Sequence, residues 1–170
     1  AIDVSNCILL DVNSLVDDLS RLCPKLESCT ANQFLPAAMA SAPYSVLAEM
    51  FAHLKKLHFA PSVMLLSSGP VSADSLFGRC APLVELSLNH LAVSDVTLWR
   101  IIQRSVHLRV FRYIGSNIST ARMVHIATRC ADLREIDVTC IEYNADTAVI
   151  AVAKHCTKLN TLTLRNCTIH

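Results

Sequence analysis

Apolar residues in the second half of the chain recur in a six-residue pattern, apolar-x-x-apolar-x-apolar. It is carried by Leu83-Val-Glu-Leu86-Ser-Leu88, Leu108-Arg-Val-Phe111-Arg-Tyr113, Leu133-Arg-Glu-Ile136-Asp-Val138 and Leu159-Asn-Thr-Leu162-Thr-Leu164. The copies begin 25, 25 and 26 residues apart. In each, the closing apolar pair is separated by one residue, as in a short strand whose alternate side chains enter a core. Weaker copies precede them at Leu54-Lys-Lys-Leu57-His-Phe59 and Leu26-Glu-Ser-Cys29-Thr-Ala31, and Ile2-Asp-Val4 fits the strand of a still earlier unit. Seven strands separated by six intervening segments are expected.

Helices are predicted in those segments. Asp11, Asp95, Thr120 and Asp146 each precede apolar residues spaced three and four apart, the pattern of a helix N-cap followed by an amphipathic helix. Val96, Leu98, Trp99, Ile101 and Ile102 form one such run, Met123, Ile126 and Ala127 a second, and Ala148, Val149, Val152 and Ala153 a third. Residues 30–44 hold Pro36 and Pro43 and read as a longer loop that delays its helix to 45–53. Residues 61–71, with Pro61, Gly69 and Pro70, read as a second loop.

A supersecondary unit repeated at this period cannot bury its apolar face alone. Stacked units form a solenoid with a continuous core. The expected fold is α/β, with parallel strands on a concave face and helices on a convex face. Residues 1–170 form a single array of about six repeats, expected to be a segment of a longer protein or to be capped by another chain, because exposed repeat ends need covering. Composition agrees, since 52% hydrophobic residues with only 5% aromatics suits a core of small aliphatics from strand and helix together.

The apolar bias raises the question of a membrane span. Residues 28–48 are uncharged after Glu27, but Asn32, Gln33, Ser41, Ser45 and two prolines interrupt them, whereas a spanning helix needs about 20 predominantly apolar residues. No span is expected, and no basic-then-apolar signal sequence opens the chain.

The eight cysteines follow the repeat rather than a metal-binding spacing. No Cys-x-x-Cys occurs, and the closest pair, Cys23 and Cys29, is six positions apart. Cys23, Cys80, Cys130 and Cys156 each stand three residues before a strand motif, with Ser105 in the same place in another unit. Cys7 and Cys167 stand three residues after the second apolar residue of a strand pair. Small buried hydrophobes suit both places, so no metal and no cofactor is expected, and free thiols point to a reducing compartment, cytoplasmic or nuclear.

Cys156-Thr-Lys-Leu159-Asn-Thr-Leu162-Thr-Leu164-Arg-Asn-Cys167 resembles the cysteine-containing leucine-rich repeat found in F-box leucine-rich-repeat proteins. The segments opening at Cys130 and Cys80 resemble its first part, and Val93-Ser-Asp95 resembles its isoleucine-threonine-aspartate turn. The match covers about residues 80–170 and departs at Leu91 and Ser116, where the second cysteine is missing, and at Cys140, one position early. The resemblance implies a protein-interaction module like the substrate-recognition repeats of an F-box ubiquitin-ligase receptor, although no F-box segment is found in this sequence. The alternative is a structural repeat subunit or scaffold of a large multiprotein assembly.

Binding residues follow from strand alternation. The residue between each apolar pair faces away from the core, which gives a concave row of Asp3, Thr30, His58, Ser87, Arg112, Asp137 and Thr163. Lys56, Glu85, Val110, Glu135 and Thr161 flank it, and Asn89, Ile114, Thr139 and Arg165 lie beyond. Lys56, His58, Glu85, Arg112, Ile114, Glu135, Asp137 and Arg165 are the candidate partner-binding residues, with Val110 and Ile114 an apolar anchor beside Arg112. A protein partner on this face, with other subunits of a large complex as further partners, fits the mixed signs.

Nucleic acid fits less well. Arg100, Arg104, His107, Arg109, Arg112, Arg122 and Arg129 cluster in sequence, yet 15 basic residues face 14 acidic ones, without the excess that phosphate binding leaves. The arginines are expected on exposed helix faces. An enzyme is not expected either, because no phosphate loop, Gly-x-Ser-x-Gly or His-Glu-x-x-His occurs, and only three glycines are present. His155 and Cys156 are adjacent, and adjacent helical residues point about 100° apart, so they make no nucleophile-base pair.

Overall fold

A computed structural model describes residues 1–3, 5, 8–9, 18, 23, 25–36, 53–61, 82–90, 93–139, 141 and 145–168. The strands are β1 (Ile2–Asp3), β2 (Ile8–Leu9), β3 (Ser28–Pro36), β4 (Lys56–Pro61), β5 (Glu85–Asn89), β6 (Val110–Ile114), β7 (Glu135–Thr139) and β8 (Thr161–Arg165). The helices among the described residues are α1 (Asp95–Arg104), α2 (Thr120–Arg129) and α3 (Asp146–His155). The strands pair in parallel in the order β1-β3-β4-β5-β6-β7-β8, with β2 pairing the far end of β3. The chain is therefore α/β, with strand and helix alternating from β5 onward.

Register reproduces the sequence period. Cys29, Leu57, Leu86, Phe111, Ile136 and Leu162 stand opposite one another in successive strands. So do Phe59, Leu88, Tyr113, Val138 and Leu164. Apart from Leu162, which is exposed at the β8 edge, these side chains form one core with the inner faces of the helices, which contribute Leu98, Ile101, Ile102, Met123, Ile126, Ala127, Ala148 and Val152. The strand entrances repeat as well. The carbonyls of Glu27, Lys55, Val84, Arg109 and Arg134 each accept two backbone N–H groups from the next unit. Ahead of four strands a turn closes from Leu26 N–H to Cys23 O, Leu108 to Ser105, Leu133 to Cys130 and Leu159 to Cys156. After the strands, His90, Gly115 and Asn166 adopt positive φ, which turns the chain sharply out of the sheet. A Cβ on Gly115 would lie 2.2 Å from the His90 ring, so the turn also needs glycine for space.

Helix starts lie one residue earlier than expected. Ser94 and Ser119 are the N-caps of α1 and α2, accepting from Thr97 N–H and Arg122 N–H, so Asp95 and Thr120 are the first helical residues. Ala145 caps α3 without a side-chain bond, which leaves Asp146 to act through its charge on the first turn. Residue Asp11 and most of 45–53 lie outside the described residues, as do Val4, Cys7, Cys80, Leu91 and Cys140.

One expectation is overturned. Residues 30–36 are strand rather than loop, because β3 continues beside β4 to Phe34 opposite Pro61, across a register shift at Asn32/Phe34, and beside β2 to Pro36 opposite Leu9. Proline is tolerated at such strand ends, where no further ladder N–H is needed. The remainder of both proposed loops lies outside the described residues. Helix α1 does not bury all of its apolar run, since Leu98, Ile101 and Ile102 point inward while Val96 and Trp99 are 58% and 40% exposed. Positions 96, 99 and 103 share a face opposite to 98, 101 and 102 at 3.6 residues per turn. In α3, likewise, Ala151 is buried and Ala153 is exposed.

Candidate functional site

The sheet face turned away from the helices carries the candidate binding residues. Strand register places Asp3, Thr30, His58, Ser87, Arg112, Asp137 and Thr163 side by side, and Lys56, Glu85, Val110, Glu135 and Thr161 in the next row. Neighbouring strands lie about 4.8 Å apart, so side chains in adjacent strands meet directly or diagonally. The charges pair accordingly. Lys56 Nζ lies 2.6 Å from Glu85, and His58 Nε2 lies 3.3 Å from the same carboxylate. Arg112 Nε donates to Glu135 at 2.6 Å. Arg165 donates to both carboxylate oxygens of Asp137 at 3.3 and 2.9 Å, a bidentate fork.

Three cations and three carboxylates thus alternate in fixed partnerships across β4 to β8. Burial pushes the Glu85 carboxyl up, but hydrogen bonds and charge from Lys56 and His58 outweigh it and hold it below its usual range. Half-buried Val110 and Ile114 interrupt the polar ladder next to Arg112. Such a face offers preoriented polar groups around an apolar patch, with no excess of one sign.

Ser87 departs from the expected row. It is only 3% exposed, because its short side chain stands between the longer His58 and Arg112. Asn89 Oδ1 and Thr139 Oγ1 in the third row are likewise covered.

The arginines grouped in the sequence are dispersed in space. Arg112 pairs on the outer sheet, whereas Arg122 bonds Asp95 at 3.0 Å between α2 and α1 with its side chain only 13% exposed. Arg122 is therefore a helix-helix bridge and not an exposed surface arginine. His107 belongs to a third place, the turns before the strands, where Asp132 receives His107 at 2.9 Å and Lys158 at 2.5 Å. Hydrogen bonding from Lys158, then from His107, lowers the Asp132 carboxyl to about 2. Lys55 and Glu27 pair between two earlier units. Sequence reasoning passed over this edge, although His107, Asp132 and Lys158 each precede a motif leucine by one residue.

No protein-family model and no curated protein matches this chain. Its function is therefore read from the geometry. Among the described residues, no helix is long and apolar enough to cross a membrane.

The cysteines act as packing and bonding elements where they are described. Cys130 and Cys156 are buried, and their thiols donate to the Ser105 and Ala127 carbonyls of the preceding units at 3.4 and 3.7 Å. Ser105 holds the same place, its Oγ accepting from Leu83 N–H at 3.0 Å. Burial pushes the Cys130 thiol up to about 12 and the Cys156 thiol up as well, which disfavours the thiolate that nucleophilic attack requires. Cys167 accepts from Ile141 N–H at 3.3 Å and donates to Arg165 O, tying a turn to its neighbour. Cys23 is a correction. Its turn is formed, but its side chain is exposed. Cys130→Ala and Cys156→Ala should each cost about 1 kcal/mol or somewhat more in chemical denaturation, and the purified protein should contain no stoichiometric zinc.

Proposed function

We propose that this chain is a leucine-rich-repeat protein-interaction module whose outer sheet face receives a polar protein partner. The observation that supports it most is the register of consecutive parallel strands at the sequence period, which lines up Lys56, His58, Glu85, Arg112, Glu135, Asp137 and Arg165 on one face. Val110 and Ile114 supply the apolar centre, and Arg112 is the residue expected to contribute most, since arginine beside a partly dry patch is a common hot spot. The balance of three cations and three carboxylates favours a partner of mixed charge over a polyanion. By its resemblance to the cysteine-containing repeats, the module is proposed to recognise the substrate of an F-box-type ubiquitin ligase, in a reducing compartment.

A second reading, a structural subunit of a large assembly, draws on a different observation. Leu162 in β8 is 40% exposed, while Leu57, Leu86, Phe111 and Ile136 at the same register are fully buried by the strand that follows. A further repeat or a neighbouring subunit stacked on β8 would bury it.

The test is affinity capture followed by mass spectrometry, comparing wild type with Arg112→Glu and with Arg109→Glu, an exposed arginine at a strand entrance. Loss of a specific set of partners with Arg112→Glu alone, and a shift in their salt dependence, is the expected result. Arg112 is partly shielded and paired, so its reversal should also cost about 1 kcal/mol of stability. Partners that survive Arg112→Glu but disappear with Leu162→Glu would favour the assembly reading.

A further inference from the structure

Each described helix places an apolar residue at its fifth position, facing away from the core in α1 and α3 and at the edge of the core in α2. These are Trp99 in α1, Val124 in α2 and Ile150 in α3. Trp99 and Ile150 are 40% and 66% exposed, Val124 is half-buried, and Val96, one turn before Trp99, is 58% exposed. An amphipathic helix would carry polar residues there, and adjoining exposed apolar side chains mark interaction surfaces. The Trp99 ring stacks on His125 of α2 with centroids 6.0 Å apart and planes at 25°, which extends the apolar surface across the α1–α2 junction. Burial, then the charges of Arg122 and Arg129, lower the His125 pKa.

The surrounding charge is one-sided. The three helices carry five cations, Arg100, Arg104, Arg122, Arg129 and Lys154, against Asp95 and Asp146. Arg100, Arg129 and Lys154 are exposed and lie on the C-terminal side of the apolar row. The outer sheet face, by contrast, is balanced.

We infer that the helix face is a second docking site, and that it takes an acidic amphipathic helix of a partner protein lying across α1, α2 and α3. Packed helices stand about 8–10 Å apart, so the row advances by that distance from Trp99 to Val124 to Ile150. Seven residues of an α-helix advance about 10.5 Å and return to nearly the same face. A partner helix with apolar residues at every seventh position therefore meets the three residues in turn. Carboxylates along one flank of that helix face Arg100, Arg129 and Lys154. This site stands independently of the sheet-face reading.

Trp99 is the chain's single tryptophan, so its fluorescence reports on the site directly. The probe is a synthetic 21-residue helical peptide free of aromatic residues, with leucine at every seventh position and glutamate along one flank. It is titrated into the full 170-residue chain beside a twin carrying lysine for glutamate. The glutamate peptide should produce a saturable blue shift, with the Kd raised about tenfold by Ile150→Glu or by Arg129→Glu and unchanged by Arg112→Glu. Both test positions are exposed, so circular dichroism of the variants should match wild type. The inference is overturned by equal binding of the lysine peptide or by the lack of a saturable shift. It is also overturned if anionic phospholipid vesicles or duplex RNA shift Trp99 at lower concentration than the peptide, which would make the occupant a different class of molecule.

Discussion

Phe111→Ala should lower the unfolding free energy by about 3–5 kcal/mol, the cost of emptying a large aromatic site in a close-packed core. Phe111 is fully buried in β6, between Leu86 of β5 and Ile136 of β7, which are fully buried themselves. Its ring lies nearly parallel to Tyr113, 6.2 Å between centroids. Tyr113 in turn accepts the Val93 N–H at 3.3 Å just ahead of α1. Truncation therefore removes packing from strands on both sides and loosens the side chain that holds the start of a helix. Because β6 pairs with β5 on one side and β7 on the other, damage at Phe111 weakens two strand interfaces at once. Phe111→Leu, which retains most of the volume, should cost about 1.5 kcal/mol or a little more. Denaturant titrations followed by circular dichroism measure both values, and a loss below about 1.5 kcal/mol for the alanine variant would show that the core around β6 collapses onto the vacancy.

Arg122→Glu should cost about 2 kcal/mol, more than an ordinary surface charge reversal. The Arg122 side chain is largely covered and reaches from α2 to Asp95 at the start of α1, with its Nε buried and without a hydrogen-bond partner among the described residues. Glutamate would set a second carboxylate against Asp95 in a shielded place. Removing one member of a fully buried pair costs about 3–5 kcal/mol, and an exposed pair contributes about 0–1 kcal/mol. Asp95 itself is 66% exposed, so water screens part of the repulsion and the expectation falls between these limits. Arg122→Met keeps the packed stem and should lose about 1 kcal/mol. Thermal or chemical denaturation of the two variants measures the difference. Equal stability of Arg122→Glu and wild type would mean that the α1–α2 bridge contributes nothing.

Apart from β2 and the extension of β3 to Pro36, strand positions, register and inward residues were legible because the apolar pairs recur at 25 to 29 residues and a strand offers only two faces. One repeating pair sets the face of every strand, so Leu57, Leu86, Phe111 and Ile136 align in space as they do in sequence. The outward rows follow from the same alternation, and the thiols of Cys130 and Cys156 occupy equivalent interior positions for the same reason. A helix has no such simple rule. At 100° per residue a run such as Val96, Leu98, Trp99, Ile101 and Ile102 spans more than the buried arc, and only the packing of α1 on the sheet decided that Val96 and Trp99 remain outside. Pairing of charges was also beyond one-dimensional reading, since Arg112 and Arg122 look alike in sequence while strand adjacency gives one to Glu135 and helix packing gives the other to Asp95. The sequence by itself determined which residues repeat and which strand face turns inward, because both are periodic properties of the chain. Tertiary structure alone decided which charges meet and which apolar side chains stay exposed, because those depend on distances between units that the chain's own periodicity does not contain.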